Sequence, residues 1–227
     1  MDCASAGTVQ SRIESRVLPR PARTILLAAT LVWLLLVGTG LKALWSYSLA
    51  PGEGGRTPEL WPAESRLPPP ARRPNLVVLA HPQCACSRAT VGELALLMAR
   101  VHDRVSAHVL FLEPEGADES WVKSDLWERA AAIPGVTVWK DEGGRESERF
   151  GAATSGQTVL YDRDGRLRFS GGITAARGHS GDNAGRSTLT ALLLDGAAGR
   201  PRTPVFGCSL HEPGAPCAGE ANSCKSL

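Results

Sequence analysis

Asn75-Leu76-Val77-Val78-Leu79-Ala80 runs into His81-Pro82-Gln83-Cys84-Ala85-Cys86-Ser87-Arg88, and from Ser87 to Val105 the chain reads SRATVGELALLMARVHDRV. The first six residues are a short unbroken apolar run, as in a strand covered on both faces. The last stretch places Val91, Leu94, Leu97, Met98, Val101 and Val105 at helical spacing, with Ser87 positioned to cap the helix. Two cysteines therefore sit between a buried strand and the start of an amphipathic helix. A sulfur there faces unpaired backbone N–H groups and the positive end of the helix dipole, which stabilises a thiolate and lowers its pKa. His81 and Arg88 would lower it further if they point at the sulfur.

Working outward, the spacing predicts a strand over Val109 to Leu112, a helix from Asp118 to Ala132 and a strand over Val136 to Trp139. Thr158 to Tyr161 and Arg166 to Phe169 flank Asp162-Arg163-Asp164-Gly165, a hairpin signal, and Ser187 to Leu194 reads as a last helix. Strands alternating with helices, then a hairpin and a helix, predict an α/β domain over 75–196 with a mixed sheet flanked by helices. From 197 to 227 no period survives, so a cysteine-containing irregular tail is expected.

The order of strand, cysteine pair and helix resembles the thioredoxin-like superfamily. Phe150-Gly151-Ala152 followed by Thr154-Ser155-Gly156-Gln157-Thr158-Val159-Leu160-Tyr161-Asp162-Arg163-Asp164-Gly165 is similar to that superfamily's turn, strand and D-x-D-G hairpin. The resemblance covers about Asn75 to Leu194 and is closest to membrane-tethered, TlpA-like thiol-disulfide proteins and to a RedB-like group. It implies thiol-disulfide exchange with partner proteins; Cys84, expected to be the more exposed at the turn, would attack or be attacked, and Cys86, in the first helical turn, would resolve the mixed disulfide. It also implies that the strand from Thr158 begins beside the cysteines, and that the loop from Gly171 to Asn183 lies at the same end. His179 in that loop could then act as acid or base, oriented by Asp182, or be a solvated histidine in a Gly-rich loop.

The sequence departs from the family at two positions. The motif is C-x-C where the family has C-x-x-C, and the small ring of a Cys84–Cys86 disulfide would be strained and more oxidising. That suits a disulfide donor or isomerase better than a strong reductant. Gln157, before Thr158, stands where the family has a cis-proline that faces the cysteines, positions substrate backbone and keeps metal away. Cys86-Ser87-Arg88 also resembles the start of a peroxiredoxin helix, but Gln83 occupies the place of the threonine those enzymes need.

Thr24 to Leu41 is uncharged and, at about 1.5 Å per residue, roughly matches a hydrocarbon core of about 30 Å once Lys42, Trp45 and Tyr47 are added. Residues 24–47 are therefore expected to be a transmembrane anchor. A cleaved signal peptide is the alternative, with Ser48-Leu49-Ala50 as its small residues, although Pro51 would follow the cut. Residues 1–23 carry Arg12, Arg16, Arg20 and Arg23 against Asp2 and Glu14, which keeps them in the cytoplasm by the positive-inside rule. The chain has 25 Lys and Arg against 23 Asp and Glu, and removing those six leaves 21 of each sign on the exported side. With 43% hydrophobic residues, this near-neutral composition excludes an acidic disordered chain or a polybasic nucleic-acid binder. Residues 48–74, with Pro68-Pro69-Pro70, read as a semi-rigid linker holding the domain off the bilayer. The resemblance implies a Gram-negative inner membrane as the location, with a single span and the C-terminal domain in the periplasm.

Of the six cysteines, Cys3 falls on the cytoplasmic side, and the remaining five cannot all pair within one molecule. Cys84 with Cys86, and two of Cys208, Cys217 and Cys224, is the simplest arrangement. A tail disulfide could merely clamp the end, or Cys208 could pack near the active turn and pass electrons to or from it. A metal site is the competing reading, with copper or zinc held by His81, Cys84 and Cys86 and with Cys208, His211 or His179 as further ligands. A non-catalytic binding domain with structural thiols is a third reading.

Overall fold

The computed structural model describes residues 20–196, 199 and 201–210. The chain divides into two units, one up to Trp45 and one from Ser46 onward. In the first, helix α1 (Arg20–Leu49) begins, and this helix is long and apolar enough to cross a membrane, with a mean hydropathy of 2.2 over its most apolar window. The arginines before Arg20 lie outside the described residues.

The second unit is built on β1 (Asn75–Ala80), whose six residues are all buried. Successive side chains of a strand point to opposite faces. Leu76, Val78 and Ala80 join a core with Leu94, Leu97 and Met98 of helix α2 (Ala85–Val101). Val77 and Leu79 join a second core with Phe150, Val159 and Tyr161. Each face is covered, which explains why the strand is apolar throughout and not alternating.

β2 (Ser106–Glu113) pairs parallel with β1, and β3 (Val136–Glu142) pairs parallel with β2. β4 (Thr158–Tyr161) pairs antiparallel with β1, and β5 (Leu167–Gly171) antiparallel with β4. The order β3-β2-β1-β4-β5 makes one five-stranded mixed sheet, as the sequence predicts. Short helices α3 (Glu119–Val122), α4 (Asp125–Ala131) and α5 (Arg145–Arg149) and the final helix α6 (Ala184–Leu194) complete the unit.

Several expectations need correction. The helix predicted over 118–132 is two helices, because Ser124 takes an extended N-cap conformation ahead of Asp125 and restarts the chain. α2 begins at Ala85 with Cys84 in the N-cap position. Ser87 does not cap it, since its hydroxyl lies 2.7 Å from Ser155 Oγ and accepts from the His81 N–H at 3.1 Å.

The largest correction concerns residues 48–74, which do not form a spacer. Leu67 is buried, and Trp61 packs edge-on against Phe150 and Tyr161 at centroid distances of 5.1 and 5.3 Å. The Trp61 N–H donates to Gly165 O and the Leu167 N–H to Glu59 O, at 2.8 and 2.9 Å. Near Gly151, which has φ of 60°, the approach is so close that a Cβ would lie 2.1 Å from Arg56 O. The proline-rich segment thus seals one face of the sheet. The tail is also part of the domain as far as Leu210, which is buried in the second core.

His108 on β2 is buried, and its Nδ1 accepts the Trp139 indole N–H at 3.1 Å. Burial brings its pKa down from 6.5 to about 4. The folded state favours the neutral ring, so the stability it contributes is complete above pH 6.5 and is lost as pH falls toward 4. Denaturant unfolding should therefore show a loss of about 3 kcal/mol across that window. His108→Gln, which retains an acceptor for Trp139, should flatten the slope. An unchanged slope would remove His108 as its source.

Candidate functional site: a three-cysteine cluster

Cys84 ends the turn after β1 as the extended N-cap residue of α2, at the end of the helix where its unpaired N–H groups lie, and its side chain makes no capping hydrogen bond. The nearby backbone N–H groups of Ser87 and Cys86 lower its pKa. Cys86 lies in the first helical turn and acts to lower the Cys84 pKa. The third sulfur arrives from a distance of 124 residues, with Cys208 Sγ 3.0 Å from Cys84 Sγ. Cys86 and Cys208 also shift each other's pKa. All three are free thiols, and Cys84 and Cys86 are buried at 4% and 7% exposure whereas Cys208 is half-buried. Cys84 is therefore not the exposed member of the pair, because the tail segment lies beside it.

That segment is fixed by backbone bonding. Ser155 N–H donates to Cys208 O at 2.8 Å, Leu210 N–H to Ala153 O at 2.9 Å, and Gly52 N–H to Val205 O at 2.8 Å. Arg177 donates to Gly207 O with one guanidinium nitrogen and, through Nε, to Ala50 O at 3.1 Å. Gly207 passes so near the loop before β4 that a Cβ there would lie 1.9 Å from Ser155 O. Gly207→Ala should therefore displace Cys208. The alkylation pKa of Cys84 should then rise toward the free-thiol value of about 8.5, and a titration unchanged from the parent chain would count against this packing.

The three thiols divide one negative charge unequally. Hydrogen bonds from Cys208 and then Cys86, with the Ser87 and Cys86 N–H groups, hold the Cys84 pKa far below its ordinary value against the opposing effect of burial. Donation to Cys84 and Cys86, burial and their charges push Cys208 far up. For Cys86, the bond to Cys208 acts downward, but the bond to Cys84, burial and the Cys84 charge outweigh it and the pKa is raised. These directions make Cys84 the sulfur of the cluster that most readily holds the negative charge.

The expected helpers are placed differently. Arg88 turns away to a bidentate pair with Asp125 at 2.6 and 3.0 Å, so it does not address the sulfur. The His81 pKa is lowered by burial, partly offset by Cys84; its Nδ1 accepts the Gln83 N–H at 3.2 Å and its ring packs edge-on to Trp121. A ring kept neutral supplies no cation to Cys84. His179 Nδ1 lies 2.8 Å from Arg177 O on an exposed turn, and Asp182 pairs with Arg186 at 3.0 Å, so Asp182 does not orient His179. The loop itself does lie at the cysteine end, because the Gly178 N–H donates to Cys86.

Thr158 pairs with Val78 near the end of β1, as the topology requires. Gln157, in a chain whose described peptides are all trans, is buried and donates from Nε2 to Thr57 Oγ1 at 3.0 Å. Its side chain is thus used to fasten the proline-rich segment. Among the described residues, no group of three or more His, Cys, Asp or Glu side chains is arranged to hold a metal ion. Cys217, Cys224, Cys3 and His211 lie outside the described residues.

Sequence reasoning missed Glu93, a fully buried carboxylate on α2. It accepts from Gly181 N–H at 2.7 Å and Asn183 Nδ2 at 3.0 Å and pairs with Arg186 Nε at 3.1 Å. It therefore anchors the loop that carries Gly178. An acid beside Leu94 in an otherwise apolar helix face was the available signal.

The sheet order, the strand directions and the cysteine turn at the start of α2 define a thioredoxin-like fold. No family model matches the chain, and no curated protein matches it significantly. Among solved structures it is similar to a hypothetical protein from Sinorhizobium meliloti, with 20% identity and a TM-score of 0.54 over 69% of this chain and 96% of that one. An uncharacterized conserved protein from Geobacillus kaustophilus follows at 18% identity and a TM-score of 0.50, over 74% and 95%. The exposed lipoprotein thioredoxin of Streptococcus pneumoniae is more distant, with 13% identity and a TM-score of 0.40 over 54% and 84%.

Proposed function

We propose that this chain is a membrane-anchored thiol-disulfide exchange protein acting on exported partner proteins. The observation that carries the reading is the Cys84 sulfur at the N-cap of α2, 3.0 Å from Cys208 Sγ. A thiolate stabilised by helix N–H groups is the nucleophile that exchange requires, and an adjacent thiol can complete or reverse the reaction. The chemistry needs no bound group. The reading keeps the resemblance to membrane-tethered, TlpA-like and RedB-like proteins, with α1 as the span and the arginine-rich N-terminus in the cytoplasm.

Acid-quenched thiol trapping from intact cells tests it. Covalent complexes that dissolve on reduction should form through the cluster and disappear when Cys84 and Cys208 are both replaced by serine. A chain that forms no mixed disulfide and instead retains stoichiometric copper would replace exchange with metal binding. For the orientation, protease added to spheroplasts should degrade the domain, and a protected domain would reverse it.

A further inference from the structure

The three sulfurs differ in accessibility and in charge, and the two differences favour different sulfurs for attack and departure. Cys84 is buried at the start of α2, where a thiolate is favoured, and the half-buried Cys208 lies 3.0 Å from it. In thiol-disulfide exchange the attacked sulfur must be reachable, and the departing sulfur leaves faster when its thiolate is more stable. Both conditions are met if the bond joins Cys84 to Cys208 and the attack falls on Cys208.

Resting on the exchange reading above, we propose that the disulfide this site transfers is Cys84–Cys208, that its substrate is a protein dithiol, and that the incoming thiolate attacks Cys208 Sγ. The first substrate sulfur bonds to Cys208 as the Cys208–Cys84 bond breaks, and Cys84 departs with the electron pair as a thiolate. The second substrate thiolate then attacks the first substrate sulfur. A substrate disulfide forms, and Cys208 leaves and takes up a proton. Two electrons pass from the dithiol to the protein, and one proton is released to solvent. The reduced product, a Cys84 thiolate beside a Cys208 thiol, is the arrangement the structure stabilises. A disulfide whose reduced form is stabilised is a stronger oxidant, so the chain acts as a disulfide donor.

The buried Cys86 has a different role. Its pKa responds to both other sulfurs, and it can move the bond internally by attacking Cys208, which forms Cys86–Cys208 and frees Cys84. Interchange of this kind would blur a slow measurement, so the test must be quenched early.

The full chain is oxidised with diamide, its disulfides are mapped by peptide mass, and it is then exposed briefly to reduced glutathione and quenched in acid. Expected are a Cys84–Cys208 linkage and a glutathione adduct on Cys208 at least tenfold more abundant than on Cys84 or Cys86, in both the unaltered chain and Cys86→Ser. A Cys84–Cys86 linkage, or an adduct mainly on Cys84, would overturn the proposal while leaving exchange itself intact. An oxidised chain that maps as Cys84–Cys208 but consumes no glutathione would overturn the exchange reading and the proposal with it.

Discussion

Cys84→Ser should reduce the rate of exchange with a partner disulfide or dithiol to below about a thousandth of the parent rate, since the one stabilised thiolate is gone. Cys208→Ser should behave differently. It leaves the helix N–H groups pointing at Cys84 but removes the thiol that contributes most to lowering its pKa. The variant should retain an alkylatable Cys84 with a raised pKa but, lacking the sulfur that the partner bonds first, should not accumulate mixed disulfides, whereas Cys84→Ser should hold them on Cys208. Stopped-flow exchange with a fluorescent disulfide peptide separates the two cases. Equal, modest losses in both variants would show that neither sulfur takes part in the exchange.

The second large effect lies in the segment that reads as a linker. Trp61 stacks edge-on with Phe150 and Tyr161, both fully buried, so Trp61→Ala should leave a cavity against the sheet. Trp61 is itself half-buried, so the expected cost is about 2–3 kcal/mol, below that of a fully buried tryptophan, read as a lower midpoint in urea at constant slope. A domain cut to begin at Pro74 would lose Trp61 and Leu67 together and should not give a cooperative transition. If it unfolds with the midpoint of the longer chain, residues 48–74 are the spacer their composition suggests.

These outcomes turn on the part of the molecule that its sequence hides. The apolar run 75–80, the helical spacing from Val91 to Val101 and the Asp162–Gly165 turn are local signals, and β1, α2 and the β4–β5 hairpin follow from them. Together with the C-x-C turn they were enough to place the sheet and one end of the site. Trp61 and Leu67 carry no such signal. They are isolated apolar residues among prolines and glycines, and their burial depends on the face of a sheet formed by residues far along the chain.

Cys208 is hidden in the same way. Its position beside Cys84 depends on backbone bonds between the tail and the loop before β4, at Ser155 and Ala153. Only its residue type marked it as a candidate. Arg88 illustrates the opposite error: its place next to the cysteines suggested electrostatic assistance, but Asp125, 37 residues away, takes its guanidinium. Sequence proximity located the reactive turn, and non-local contacts decided which groups tune it.

The central claim is that Cys84 is a thiolate at neutral pH because Cys208 and the α2 N–H groups stabilise it. The most direct test is the pH dependence of Cys84 alkylation in the reduced chain, followed by peptide mass. A rate that stays level from pH 8 down to about pH 5, and becomes pH-dependent in Cys208→Ser, is the predicted result. A rate that falls tenfold per pH unit below about 8.5 in the unaltered chain, as for an ordinary thiol, would contradict it.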